Sequence, residues 1–334
     1  MAAGGPGNFY EEGYFCDYPP GYMLVLGLLG VIANLFHISF GTVNGELLLK
    51  AVPIFCDILL ALSVFYLTDR VVNRKAALGM AALIALNPAF VIAGACWGQI
   101  DAVLCVMLLA VLLLARQGLW HLAIPAFALA VLAKPQAGLL APLGVIALVR
   151  DVIRHQPARK RAAIGLALGL AATAVIVLPF SPNQASPFWI VDKNIETLSS
   201  YAYATLSTGN IMFLLGGNWT PNETVLFGSV TYGLLGAVLM ALSFVFGIFV
   251  YLRGRGRKRL MLASAVTLQL IFVLGSKMHE RYILPALVLL LLSFIETGDI
   301  RLLISSVLAS AASAVNIGAV LAFEHLVAPN LWLG

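Results

Sequence analysis

The sequence predicts an all-α fold: a polytopic transmembrane helical bundle of about ten crossings, with one more helix lying at the outer surface. Three observations carry this. The chain of 334 residues is 61% hydrophobic and 10% charged, with mean hydropathy +0.97. Its apolar residues fall in long runs of the length that crosses a bilayer. Its basic residues gather in short clusters between those runs. A soluble domain is nearer half apolar and a quarter charged. A soluble core has no room for this much apolar surface, so lipid is the natural solvent. The net charge of +5 is not a nucleic-acid footprint, because the cations sit in loops of the kind that face the cytoplasm. Cys16, Cys56, Cys96 and Cys105 form no CxxC pair and read as small apolar residues, not as a disulfide or metal framework.

Taken in order, residues 1–46 read as an outer loop with a juxtamembrane helix, and 47–334 as the bundle of a single membrane domain. The start is Gly-rich and acidic. The run 21–40 contains Asn34, His37 and Ser39, with Asn44 just beyond, so it reads as a helix or short hairpin at the outer surface. The run 47–68 then crosses inward to Arg70. Further runs at 76–95, 101–115, 119–133, 137–149 and 162–180 are separated by motifs more than by loops. The stretch 181–223 is a long polar loop with a weak apolar patch at 211–215. Runs at 224–252, 260–276, 282–296 and 300–323 complete the bundle. No internal repeat is present.

Three basic clusters set the orientation: Arg70, Arg74 and Lys75; Arg150, Arg154, Arg159, Lys160 and Arg161; and Arg253, Arg255, Arg257, Lys258 and Arg259. Placing them inside brings Arg116 and Arg301 inside as well. The opposite ends then carry WGQID (97–101), KPQ (134–136), the loop 181–223 and SKMHERY (276–282), all facing outward.

On that outer side Lys and Arg are few: Lys50, Lys134, Lys193, Lys277 and Arg281. Ionisable groups at membrane depth are costly and usually line a cavity or bind something. Asp101 and Glu280 sit at the same level, so the boundary holds both acids and bases. Cations suit a phosphate; acids suit proton abstraction or a hydroxyl-rich ligand. Plainer roles stand beside these. Lys134 also fits snorkelling at a helix break, and Asp101 also fits capping the helix 101–115. Lys277, Glu280 and Arg281 also fit a surface ion-pair group. Asp57, inside a crossing, fits a helix–helix hydrogen bond. Trp97, Trp189 and Trp219 fit an aromatic belt, and Tyr201 and Tyr203 an interfacial place or a sugar-stacking one. His279-Glu280 lacks the second histidine of H-E-x-x-H, and the remaining histidines are scattered, so no metal site is expected.

The set DYPPGY (17–22), NP (87–88), WGQID, KPQ and HERY (279–282) resembles, in order and spacing along essentially the whole chain, bacterial membrane glycosyltransferases of the GT-C superfamily. The likeness is greatest to polyprenyl-phosphate-sugar-dependent mannosyl- and glucosyltransferases. The resemblance implies a hexose donor carried on a polyprenyl phosphate and an acceptor hydroxyl of a glycan, lipid or protein on the outer face of the bacterial cytoplasmic membrane. It implies that Lys134, Lys277 and Arg281 meet the phosphate, and that Asp101, His279 and Glu280 line the active site. Gln99 and Gln136 would bond hydroxyls or hold their loops. It leaves a divalent metal possible. In this superfamily the base is an aspartate after a first crossing, upstream of the YPP motif. Only sixteen residues precede Asp17, with no earlier Asp. The leading expectation is therefore a start upstream of Met1 that supplies that crossing and its aspartate; otherwise Asp17 takes the role or the chain is inactive. A transporter or flippase of a lipid-linked sugar and a non-catalytic membrane scaffold are the competing functions.

Overall fold

The structure is a computed structural model that describes residues 5–10, 16–200, 202–254, 256 and 258–326. Glu11, Glu12, Tyr201, Arg255 and Arg257 lie outside the described residues. The described residues are mostly helical, with almost no sheet. Helices α1 (Pro20–Leu35), α2 (Val43–Val71), α3 (Arg74–Ala85) and α4 (Pro88–Phe90) lead into a π-helix at Val91–Trp97. Next come α5 (Asp101–Arg116), α6 (Trp120–Ala133), a 3-10 helix at Pro135–Leu140, α7 (Ala141–Arg154), α8 (Gln156–Val177) and α9 (Trp189–Ser200). After α10 (Ile211–Leu214) the chain closes with α11 (Tyr232–Arg253), α12 (Arg259–Leu274), α13 (Leu284–Thr297) and α14 (Ile300–Leu326). Four short strands are β1 (Thr205–Leu206), β2 (Val225–Phe227), β3 (Val230–Thr231) and β4 (Met278–His279).

Six helical segments among the described residues are long and apolar enough to cross a membrane: Val43–Val71, Arg74–Trp97, Pro135–Arg154, Gln156–Phe180, Tyr232–Arg253 and Ile300–Phe323. The expected count of about ten is thus not supported. Pro20–Leu35, Trp120–Ala133, Arg259–Leu274 and Leu284–Thr297 are apolar but shorter. At 1.5 Å per residue, 14 to 16 residues reach only about 21–24 Å, less than the ~30 Å hydrocarbon core. Helix α13 shows why the sequence misleads: every residue from Leu284 to Ser293 is buried. A helix apolar all round marks the centre of a bundle as readily as a crossing. A second correction falls at 224–252. Residues 225–231 form an antiparallel hairpin, β2 with β3, turned at Gly228 with φ +57°. Helix α11 starts only at Tyr232, where Leu234 N donates to the Thr231 hydroxyl at 3.2 Å.

By its contacts the expected single domain divides into two compact units, Met1–Val52 with Met107–Tyr201, and Pro53–Val106 with Ala202–Gly334. In the first unit α8 packs along α6 through Gly165 and Gly169, a small-x-x-x-small pair of the kind that lets membrane helices approach closely. A side chain at Gly165 would overlap the carbonyl of Trp120, whereas one at Gly169 would meet Ile124 at an ordinary 3.4 Å. At the basic end Trp120 Nε1 donates to Asp151 Oδ2 at 2.7 Å. In the second unit α11 to α14 pack in sequence order. Small residues again set the spacing, with Gly247 against Thr267 and Gly236 against Ser276. Asn87 and Pro88 restart the helix after α3: the Asn87 amide oxygen accepts from Ala89 N at 3.0 Å and its Nδ2 donates to Ser310 Oγ at 2.9 Å.

The two glycines of α8 make a paired test. Gly165→Ala is expected to destabilise the protein by about 1–3 kcal/mol, the usual cost of overpacking, because a backbone carbonyl cannot move aside. Gly169→Ala is expected to be neutral or mildly stabilising. Thermal unfolding in detergent reads the order, and equal melting temperatures for the two variants would refute the packing account.

Candidate functional site

In the second unit the WGQID and HERY motifs come together on one arginine. The π-helix ends at Trp97, and Gly98 turns the chain in the left-handed region at φ +86°. Gln99 N donates back to Ala93 O at 2.8 Å, which closes the turn and sets Asp101 as the first residue of α5. Asp101 is fully buried, and Glu280 is 2% exposed. Arg281 Nη1 donates to Glu280 Oε1 at 2.6 Å, and its Nε lies 3.7 Å from Asp101 Oδ2. The guanidinium carbon stands 5.4 Å from the centre of the Trp97 ring. One cation thus meets two carboxylates and an aromatic face, and these three ionisable groups carry a formal charge of −1.

The loop 202–231 holds this group in place. Strand β1 pairs in parallel with β4, Thr205 opposite Met278 and Leu206 opposite His279. Lys277 N donates to Ala204 O at 2.9 Å, and Thr208 Oγ1 donates to Met278 O at 2.6 Å. Asn210 Nδ2 donates to the carbonyls of Phe272 and Gly275, at 3.3 and 3.0 Å, while its Oδ1 caps α10. Asn316 of α14 donates to Ser207 O at 2.7 Å and accepts from Gly209 N at 2.9 Å. Lys277 itself is half-buried in a left-handed conformation, φ +59°. A lysine there is strained, and such strain persists only where the surroundings enforce it. His279 stacks at a tilt on Tyr282, ring centres 5.0 Å apart.

In the first unit the other two motifs converge. Gly21 of DYPPGY lets the start of α1 abut the end of α6; a Cβ there would stand 2.6 Å from Leu132 O. The next residue after Ala133 is Lys134, which is 4% exposed, has an extended backbone and ends α6. Pro135 then opens the 3-10 helix that carries the buried Gln136. Asp17 is half-buried, and its carbonyl accepts from Thr197 Oγ1 at 3.3 Å. Nearby, burial pushes the Cys16 thiol above its ordinary range.

The sequence placed Asp101, Glu280 and Arg281 at the ends of different apolar runs, and the structure brings their side chains into contact. Gln99, Lys277 and His279 lie on the same two segments. Lys134, Gln136 and Asp17 belong to the other unit. Sequence reading missed Asn210, Thr208 and Asn316, whose roles arise between residues far apart in the chain. It also took Trp97 for a belt residue, although its ring faces Arg281. Among the described residues no three His, Cys, Asp or Glu side chains converge on a point that would hold a metal ion. The two converging carboxylates are both engaged by Arg281, which is a poor arrangement for a divalent cation. No family model and no curated protein matches the chain.

The ion-pair group makes a direct test. Arg281→Gln leaves two buried carboxylates without their counter-charge and is expected to cost about 3–5 kcal/mol of stability. Adding Glu280→Gln to that variant removes one of the stranded charges and is expected to recover a measurable part. Unfolding of the two proteins in detergent checks this; a double variant no more stable than the single one would show that the pair is not a structural unit.

Proposed function

We propose that the protein is a membrane glycosyltransferase that moves a hexose from a polyprenyl-phosphate sugar to an acceptor hydroxyl at the membrane face away from its basic clusters. The observation that supports this most is the convergence of the motifs in pairs: WGQID with HERY through Arg281, and DYPPGY with KPQ through Gly21 and the end of α6. Motifs far apart in sequence that meet at helix ends are what a shared site requires. In this reading some of the shorter apolar helices also cross, and α1 lies along the surface.

The step needs a carboxylate that takes the acceptor proton while the acceptor oxygen bonds to the anomeric carbon. The bond from that carbon to the phosphate oxygen breaks, and the leaving polyprenyl phosphate carries away the electron pair. Fixed cations stabilise the charge that develops there without reorganisation. In the second unit Lys277 suits this role; Lys134 is the corresponding candidate of the first unit. Arg281 is already bracketed by two carboxylates, so its contribution is to hold Asp101 and Glu280 and to meet the phosphate at its margin. Asp17 is the candidate base within the described residues. In the second unit His279, Glu280, Asp101 and Gln99 orient the sugar and acceptor, directly or through their loops; Gln136 holds its own loop in the first unit.

Membranes containing the protein are expected to transfer labelled hexose from a polyprenyl-phosphate donor and not directly from a nucleotide sugar. Lys277→Ala is expected to lower the rate by about 10²–10³-fold, the scale of losing one preorganised charge-stabilising group, while leaving the protein folded. Direct transfer from the nucleotide sugar would overturn the donor assignment. A second reading, transport of a lipid-linked sugar, draws on Asp57. This acid lies within the long span of α2, its Oδ2 lies on the side of Gly94 where a Cβ would be, and among the described residues its Oδ1 has no hydrogen-bond partner. Movement of the lipid-linked sugar across vesicles without any change of its glycosidic bond would favour that reading.

A further inference from the structure

The sequence places 211–223 at the end of a polar loop, with a weak apolar patch at 211–215, and 224–231 at the start of an apolar run; together they expose a cluster of large apolar side chains. Phe213, Leu214 and Leu215 are all exposed, Leu214 at 80%, and so are Val225 and Phe227 on the hairpin. Trp219 is 48% exposed. The inward side chains of the same elements are accounted for: Met212 and Tyr232 are buried with Ala204, and Ile211 and Leu226 pack against them. The alternation in β2, Leu226 inward and its two neighbours outward, is that of a strand between two apolar environments, not between a core and water. Glu223 is the one charged residue in 211–231.

We propose that this patch is seated in the lipid of the leaflet on the side away from the basic clusters, so that the exposed apolar side chains of 213–215, 225 and 227 form a membrane-seated collar while Glu223 faces water. Continuity with a spanning helix decides the occupant. Phe227 lies just ahead of Thr231, the cap of α11, whose segment Tyr232–Arg253 is one of the six of crossing length. The apolar exposure continues along α11 at Leu234, Val238, Leu242 and Val245. Tyr232 OH donates to Leu215 O at 2.6 Å, which ties α10 to the top of that helix. A tryptophan beside such a helix end is at home in the interfacial zone. The backbone at Trp219 is left-handed, φ +54°, and its indole donates to Ser207 Oγ at 3.0 Å, so the exposed ring is held in place and not loosely presented.

The consequence reaches the candidate site. Ser207 adjoins β1, and β1 is paired to β4 with its Lys277 and His279. A collar fixed in lipid sets those residues at headgroup depth, where the group they meet is borne on a lipid. The proposal needs only the membrane placement and does not rest on sugar transfer.

Nitroxide labels test it in the full chain reconstituted in phosphatidylethanolamine and phosphatidylglycerol vesicles. Leu214→Cys and Phe227→Cys are labelled in a chain whose native cysteines are replaced by serine, with Glu223→Cys as the aqueous reference. At 214 and 227 collisions with oxygen are expected to exceed those with a water-soluble nickel chelate, and the order is expected to reverse at 223. Chelate collisions dominant at 214 and 227 would overturn the proposal. So would low accessibility to both reagents with spin–spin broadening, the sign of a second copy or another protein on the patch. An independent reading keeps every native cysteine: brominated lipid should quench the fluorescence difference between wild type and Trp219→Phe, and no quenching of that difference would count against the collar.

Discussion

A peptide group taken out of water must find its partner in the protein. In lipid only helices and closed barrels satisfy every amide and carbonyl internally. In a chain this apolar, backbone that leaves the helix has to be tied down by side chains or by neighbouring backbone. The motif residues of both units sit in such places: in the second unit the π-helix and turn before Asp101 and the left-handed Lys277, in the first the extended residue at Lys134. Each is a departure from α geometry, and each is closed by specific hydrogen bonds or by a neighbouring backbone.

The acid–base group in the second unit follows from the same constraint. Asp101 and Glu280 are buried as completely as core leucines, and a buried carboxylate without a partner is prohibitive. Arg281 resolves this for both at once, and the flat Trp97 ring covers its cationic face. Bidentate and stacking geometry are properties of a planar guanidinium, which is why lysine would not substitute.

Small residues do the complementary work between helices. Without a hydrophobic drive in lipid, helices associate by close packing and by polar contacts. Gly165 on α6, Gly247 on Thr267 and Gly236 on Ser276 bring backbones together. The Asn87–Ser310 pair adds a polar contact between the α3–α4 junction and α14.

By itself the sequence determined the helical class and the presence of runs apolar enough to cross a membrane. These follow from composition and local period, which need no knowledge of distant contacts. Tertiary structure decided that Trp120–Ala133, Arg259–Leu274 and Leu284–Thr297 are shorter than the long spanning helices, and that α13 is buried throughout from Leu284 to Ser293. It also decided that residues 225–231 form a hairpin before α11, and that Asn210, Thr208 and Asn316 hold the site loop. Hydropathy reports how much an element avoids water, not whether lipid or another helix shields it. Hydrogen bonds between residues sixty or a hundred positions apart leave no period in the chain to be read.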